Sequence, residues 1–225
     1  MTPIRGSSVA TPPTKSRAHT TYRTADNTIV PGVTTALNVL AKPALVPWAN
    51  KLGLQGIDSS KYVDALAQIG TLAHHMIECY LSGVTPDLSD YTTEQIDKAE
   101  NSVLSYHEWA KGHAVEPILT EAALVSEELR YGGTIDCYAG LDGVPTLIDF
   151  KTSRAIWPEH LYQVAAYDYL LLEHGYDVGA VMILQIGRDE TEGFSTRTVT
   201  DRTPYFEVFE HCLAIYKLKK ITERR

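Results

Sequence analysis

Three residues near the middle of the chain have the types and spacing to do chemistry on a phosphate: Asp136, Asp149 and Lys151. Asp142-Gly143 separates two apolar-rich runs, a pattern that predicts a two-residue type I′ hairpin loop. With those two residues as the loop, Asp136 falls directly across from Asp149. Side chains alternate along a strand, so Asp149 and Lys151 share a face while Ile148 and Phe150 point the other way. Opposed Cβ atoms sit roughly 4.5–5.5 Å apart. Two bare carboxylates that close raise each other's pKa, and a chain does not place them so for stability. One or two hard divalent ions with oxygen ligands, Mg²⁺ or Mn²⁺, resolve the conflict. The ammonium two residues on can orient a water or stabilise charge developing on a phosphate. The plain alternative is a polar cluster on a solvated sheet face, and the apolar character of the surrounding run argues against it.

The elements around this patch must position it. Asp64 to Leu81 is predicted as an amphipathic helix, with Leu66, Ile69, Ala73, Met76, Ile77 and Tyr80 on one face. His74 lies at the border of that face. Gly70, one turn earlier, is expected to clear room beside the imidazole. Glu78, one turn later, can accept its hydrogen bond and fix its tautomer. His75 is expected to face solvent. Val33 to Leu40 reads as a short helix in which Thr34 or Thr35 caps the start or meets a phosphate. Trp48 to Leu54 reads as another, with Trp48 in the core. Thr92-x-x-Gln95 is a capping box opening a helix to about Trp109 or Lys111. Tyr106, His107 and Trp109 on it are expected to pack.

Ala114 to Leu129 gives strand-like runs broken at Pro117, with Glu121 either an accessory ligand or a strand-edge carboxylate. Gly132-Gly133 lets the backbone bend, or lets substrate approach, before Asp136. Glu159 to about His174 is a helix on which Gln163 and Tyr167 form a polar i,i+4 pair. Asp177 to Gly187 is a buried strand, Phe194 to Val199 its edge partner, and Pro204 to Lys220 a final helix.

Asp136 followed by Asp149-Phe150-Lys151 resembles the D…(D/E)-x-K signature of the PD-(D/E)XK nuclease superfamily. Thr152-Ser153 continue it as the D-x-K-T-S variant of the RecB-like branch. Gly70 to His74 resembles the G-x-x-x-H element found upstream there, and Gln163 to Tyr167 the Q-x-x-x-Y element downstream. Pro31 to Thr35 is similar to a segment of phage-type and mitochondrial genome-maintenance exonucleases.

The resemblance implies a restriction-endonuclease-like α/β core, a mixed sheet flanked by helices in the order αβββαβ, with added N-terminal helices. It implies a metal held by His74, Asp136, Asp149 and the Phe150 carbonyl, with Lys151 catalytic. Thr34, Thr35, Thr152, Ser153, Gln163 and Tyr167 are then expected along the DNA. The implied activity is a Mg- or Mn-dependent DNA exonuclease of phage or bacterial recombination, repair or replication, leaving 5′-phosphates. Its partners would be linear or single-stranded DNA ends, and a single-strand annealing or recombination protein. The alternatives are a flap endonuclease on the same chemistry and a non-catalytic DNA-binding or assembly module on a nuclease fold.

At 225 residues one domain over 26–225 is expected, after a flexible basic tail over 1–25. Cys79, Cys137 and Cys212 form no C-x-x-C pair, which excludes a zinc knuckle and leaves too few thiolates for an iron–sulfur cluster. No run approaches a membrane span, and no apolar leader precedes the tail, so a cytoplasmic location is expected over mitochondrial import. The net charge of −8 argues against tight non-specific DNA binding. The sign is uneven, however. No acid precedes Asp26, and Lys217 to Arg225 is mostly basic.

Overall fold

The structure is a computed structural model and describes residues 20–223. Most of the expected tail and the last two arginines lie outside the described residues. A small hairpin, β1 (Tyr22–Arg23) and β2 (Ile29–Val30), precedes helices α1 (Val33–Leu37), α2 (Leu45–Leu54), α3 (Ser59–Leu81) and α4 (Thr93–Ala110). Then come β3 (Val115–Ser126), β4 (Tyr131–Leu141), β5 (Val144–Lys151), α5 (Pro158–Glu173), β6 (Ala180–Ile186), β7 (Phe194–Thr198) and α6 (Thr203–Thr222). The five main strands form one mixed sheet in the order β3-β4-β5-β6-β7. Neighbours are antiparallel except β5 and β6, which run parallel and are joined by the α5 crossover. The series α3, β3–β5, α5, β6 is the expected αβββαβ order.

The Asp142-Gly143 loop forms as predicted. Leu141 pairs with Val144 and the register holds to Cys137–Ile148. Asp142 and Gly143 have φ of 50° and 83°, the left-handed pair a type I′ turn requires. The two sheet faces are buried differently. Leu147, Ile183 and Tyr131 pack against α1, α5 and α6 through Leu37, Leu171 and Phe209. Ile148, Phe150 and Leu184 pack against α3 and α4 through Ile77, Val103 and Tyr106. Burying such side chains stabilises by about 1.5–3 kcal/mol each.

Several boundaries differ from expectation for physical reasons. α3 starts earlier, because Asp58 caps it by accepting from the Ser60 and Lys61 N–H groups. α2 starts before Trp48 and takes Pro47 into its first turn, where the missing N–H has no intrahelical partner to lose. Pro117 does not end β3. The strand lies at the sheet edge and absorbs the proline in a register shift between Pro117 and Leu119. The Thr92–Gln95 capping box is present in both directions. Among the described residues, no helix is long and apolar enough to cross a membrane.

Candidate metal centre

Besides the shift after Pro117, β3 departs from regular geometry at Glu121, and the candidate site is built there. β3 pairs Thr120 with Cys137 and Ala122 with Ile135, which sets Glu121 and Asp136 at the same level between these two pairs. Glu121 has φ 45°. A non-glycine residue in that region costs about 1–2 kcal/mol. On its other side, β4 leaves the β5 ladder after Cys137–Ile148. There Asp136 Oδ2 accepts the Phe150 N–H at 2.7 Å, so a carboxylate bridges the two strands where they part. From α3, His74 places Nδ1 3.3 Å from Asp136 Oδ1 and lays its ring edge-on to Phe150 at 6.0 Å between centroids. One ligand atom each from His74, Glu121 and Asp136 lie within 4.8 Å of one another, so this group could hold a metal ion.

Asp149 is fully buried beside this group. The Lys151 ammonium lies 2.6 Å from its Oδ2 and forms an ion pair with it. Neither carboxylate oxygen of Asp149 has a hydrogen-bond donor. A buried carboxylate with a single ammonium as its partner keeps unused acceptor sites. A hard divalent cation would satisfy it, and the oxygen-rich donor set with one imidazole fits Mg²⁺ or Mn²⁺.

The electrostatics follow. Burial pushes the Asp149 carboxyl up to about 6, with Asp136 adding to the push and Lys151 and His74 opposing it. Burial also works against charge on Asp136, but His74, Lys151 and the Phe150 N–H outweigh it and hold the carboxyl below its ordinary value. Burial works against the His74 imidazolium, yet Asp136 and Glu121 prevail and raise it to about 9.

The remaining residues singled out in the sequence fall around this centre unequally. Thr152 and Ser153 follow Lys151 directly, and the Ser153 hydroxyl donates to the Ala155 carbonyl at 2.7 Å. Gln185, paired in register with Lys151, donates to the Ser153 carbonyl at 2.9 Å and fixes this turn. The Gln163 amide donates to the Tyr167 hydroxyl at 2.8 Å. Tyr167 is buried, and its phenol is pushed well up by burial and then by the charges of Asp149 and Asp136. Thr34 and Thr35 are exposed on α1, but neither caps it; the cap position is Gly32.

Five expectations change. Gly70 makes room for Thr152, whose Oγ1 would lie 2.7 Å from an added Cβ, and not for the imidazole. Glu78 faces His75 at 3.3 Å, and His75 is buried, not solvent-facing. The reason is that the His74 Nδ1 is turned to Asp136. Trp48 is not core: α2 buries no residue, and the indole lies beside Tyr62 with ring centroids 6.1 Å apart. Gly132 and Gly133 neither hinge nor admit substrate here. An added Cβ would lie 2.3 Å from the Tyr22 ring at Gly132 and 2.5 Å from the Tyr167 ring at Gly133, so each glycine seats a tyrosine on β4. Tyr22 was missed in the sequence, where it falls in the stretch read as tail. Its hydroxyl hydrogen-bonds the Thr134 Oγ1 at 2.9 Å. The signal available was Gly132 itself, a glycine in an otherwise apolar strand.

No protein-family model matches this sequence. No curated protein matches it significantly either. Among solved structures, the chain is similar to the alkaline exonuclease LHK-Exo from Laribacter hongkongensis, at TM-score 0.42 and 10% identity, over 70% of this chain and 86% of that one. It is similar also to LHK-Exo in complex with dAMP, at TM-score 0.40 and 12% identity, over 71% and 86% of the two chains.

Proposed function

We propose that this chain is a Mg- or Mn-dependent deoxyribonuclease that degrades DNA from its ends. The observation that carries the reading is the convergence, on the gap between β4 and β5, of His74, Glu121 and Asp136 beside the unsatisfied Asp149 and its neighbour Lys151. The likeness of these residues to the PD-(D/E)XK elements supports it. In this reading His74, Glu121, Asp136, Asp149 and the Phe150 carbonyl hold the metal. A bound divalent ion would neutralise charge on the phosphate and make its water more acidic. Lys151, tethered beside Asp149, orients the attacking water and stabilises charge on the pentavalent phosphorus. The water oxygen bonds to phosphorus and the P–O3′ bond breaks. One product keeps a 3′-hydroxyl and the other a 5′-phosphate. Thr152, Ser153 and Gln163 line the strand's path, while Tyr167, buried under β4, holds Gln163 in place.

Attack from ends, and a place in phage or bacterial DNA recombination, repair or replication with an annealing protein as partner, rest on the sequence resemblance. The deciding experiment incubates end-labelled linear DNA and covalently closed circles with Mg²⁺, Mn²⁺ or EDTA, with Lys151→Ala beside the wild type. Metal-dependent loss of linear DNA with circles intact, abolished by K151A, is expected. Nicked circles would make the enzyme an endonuclease. Binding without cleavage in every metal would overturn the enzymatic reading.

A further inference from the structure

The segment from Lys42 to Val63 stands apart from both faces of the core. α2 buries no residue. Val46 is 74% exposed, Leu54 82% and Tyr62 42%, on a protein whose other helices bury an apolar stripe. Contiguous exposed apolar surface marks an interaction site. Its charge also departs from the rest of the chain. Over 42–63 there are three lysines, Lys42, Lys51 and Lys61, against Asp58 alone, in a protein of net charge −8. Asp58 is occupied in capping α3.

This arm leads to the metal centre by two routes. α3 itself runs from Tyr62 to His74, and at 1.5 Å per residue the two lie about 18 Å apart along the axis. At its base, Lys42 Nζ is 3.0 Å from Glu159 Oε1 on the first turn of α5. The next residue, His160, is near enough to feel the charges of both Lys151 and Lys42. Trp157, 47% exposed, stands at the cap of the same helix. Lys42, in its ion pair with Glu159, and the exposed Trp157 therefore stand at the base of the arm, while Asp64 is the one charged residue of α3 between Lys61 and His74.

We infer that the α2–α3 arm is a track for single-stranded DNA, with bases on Tyr62, Trp48 and the exposed aliphatic side chains and phosphates along Lys51 and Lys61. An aromatic and apolar surface threaded with lysines fits an unpaired strand, whose bases need faces to stack on. A duplex would offer it only phosphates. About 18 Å accommodates roughly three nucleotides at the spacing of an extended strand, so the track would be read by oligonucleotides and not by a mononucleotide ester. The inference rests on the proposed nuclease reading.

The test separates the two. Full-length protein is titrated into a fluorescent thymidine 20-mer and into a 20-base-pair duplex in Ca²⁺, and turnover of thymidine 5′-(p-nitrophenyl phosphate) is followed in Mn²⁺. Tyr62→Ala should weaken single-strand binding about tenfold. The pair Lys51→Glu and Lys61→Glu should do so more, and lower the salt slope by about 1.4, two contacts at roughly 0.7 each. Duplex affinity should change less than about twofold, and turnover of the small ester should stay at the wild-type rate. Unchanged single-strand affinity in both variants overturns the inference. So does equal loss on duplex, or a fall in oligomeric state by light scattering, which would mean that a second copy covers the arm. Absence of ester and DNA turnover in the wild type, with the arm effect intact, would instead overturn the nuclease reading alone.

Discussion

At the scale of single residues, the centre is held by opposed charges, His74 beside Asp136 and Lys151 beside Asp149. His74, raised to about 9 from an ordinary value near 6.5, is an imidazolium at neutral pH in the metal-free protein. Metal ligation needs its neutral form. Binding of Mn²⁺ at pH 7.5 should therefore release about one proton, seen as a dependence of calorimetric heat on buffer ionisation enthalpy, and affinity should rise up to about pH 9. The same shift has the opposite sign for stability. A raised histidine pKa contributes stability present in full below about 6.5 and lost as pH climbs through 9. The thermal midpoint in EDTA should fall across that window, and Mn²⁺ should offset the fall. Glu121 offers a second test. Glu121→Gly removes the left-handed strain and should stabilise the metal-free protein by about 1 kcal/mol in urea titrations. It should also weaken Mn²⁺ binding about tenfold or more, since a ligand is lost.

At the scale of elements, glycines fix how the helices and the hairpin meet the sheet. Gly133→Ala would bring a methyl to 2.5 Å from the buried Tyr167 ring, and should destabilise by about 2 kcal/mol because ring and strand must both move. Gly70→Ala meets the far end of the Thr152 side chain at 2.7 Å. That hydroxyl can turn aside, so the change in stability should stay below about 1 kcal/mol. Thr152 follows Lys151, however, and kcat/KM on linear DNA should fall several-fold. The two substitutions together separate a packing glycine from a site glycine.

At the scale of the whole molecule, stability and metal occupancy are linked. An ion that binds only the folded chain stabilises it by about 2.7 kcal/mol at a hundred times its Kd. Mn²⁺ should raise the thermal midpoint of the wild type and fail to do so for Asp136→Asn, read by scanning fluorimetry with EDTA as the reference. The charge pattern belongs to the same scale. An acidic body with a lysine-bearing arm should bind DNA with a steep salt dependence.

The hairpin of β4 and β5 was legible residue by residue, because Asp142-Gly143 fixes the loop and strand alternation fixes the face. From it came the expectation that Asp136, Asp149 and Lys151 meet, though the ladder ends one pair short of Asp136 and Asp149, at Cys137–Ile148; helical periodicity supplied α3 with His74 at its border. What the sequence could not supply was everything decided by contacts between distant elements. Whether His74 or His75 turns to Asp136 depends on where β4 lies against α3, and the two sit at adjacent positions on one helix. Glu121 reads equally as an accessory ligand or a strand-edge carboxylate until the fold brings it, with φ of 45°, close to His74 and Asp136. Tyr22 looks like tail until Gly132 is seen to seat its ring. Trp48 and its neighbours read as core because apolar spacing says only that a helix has a sticky face. Whether the fold brings anything to cover that face is a property of the tertiary structure alone.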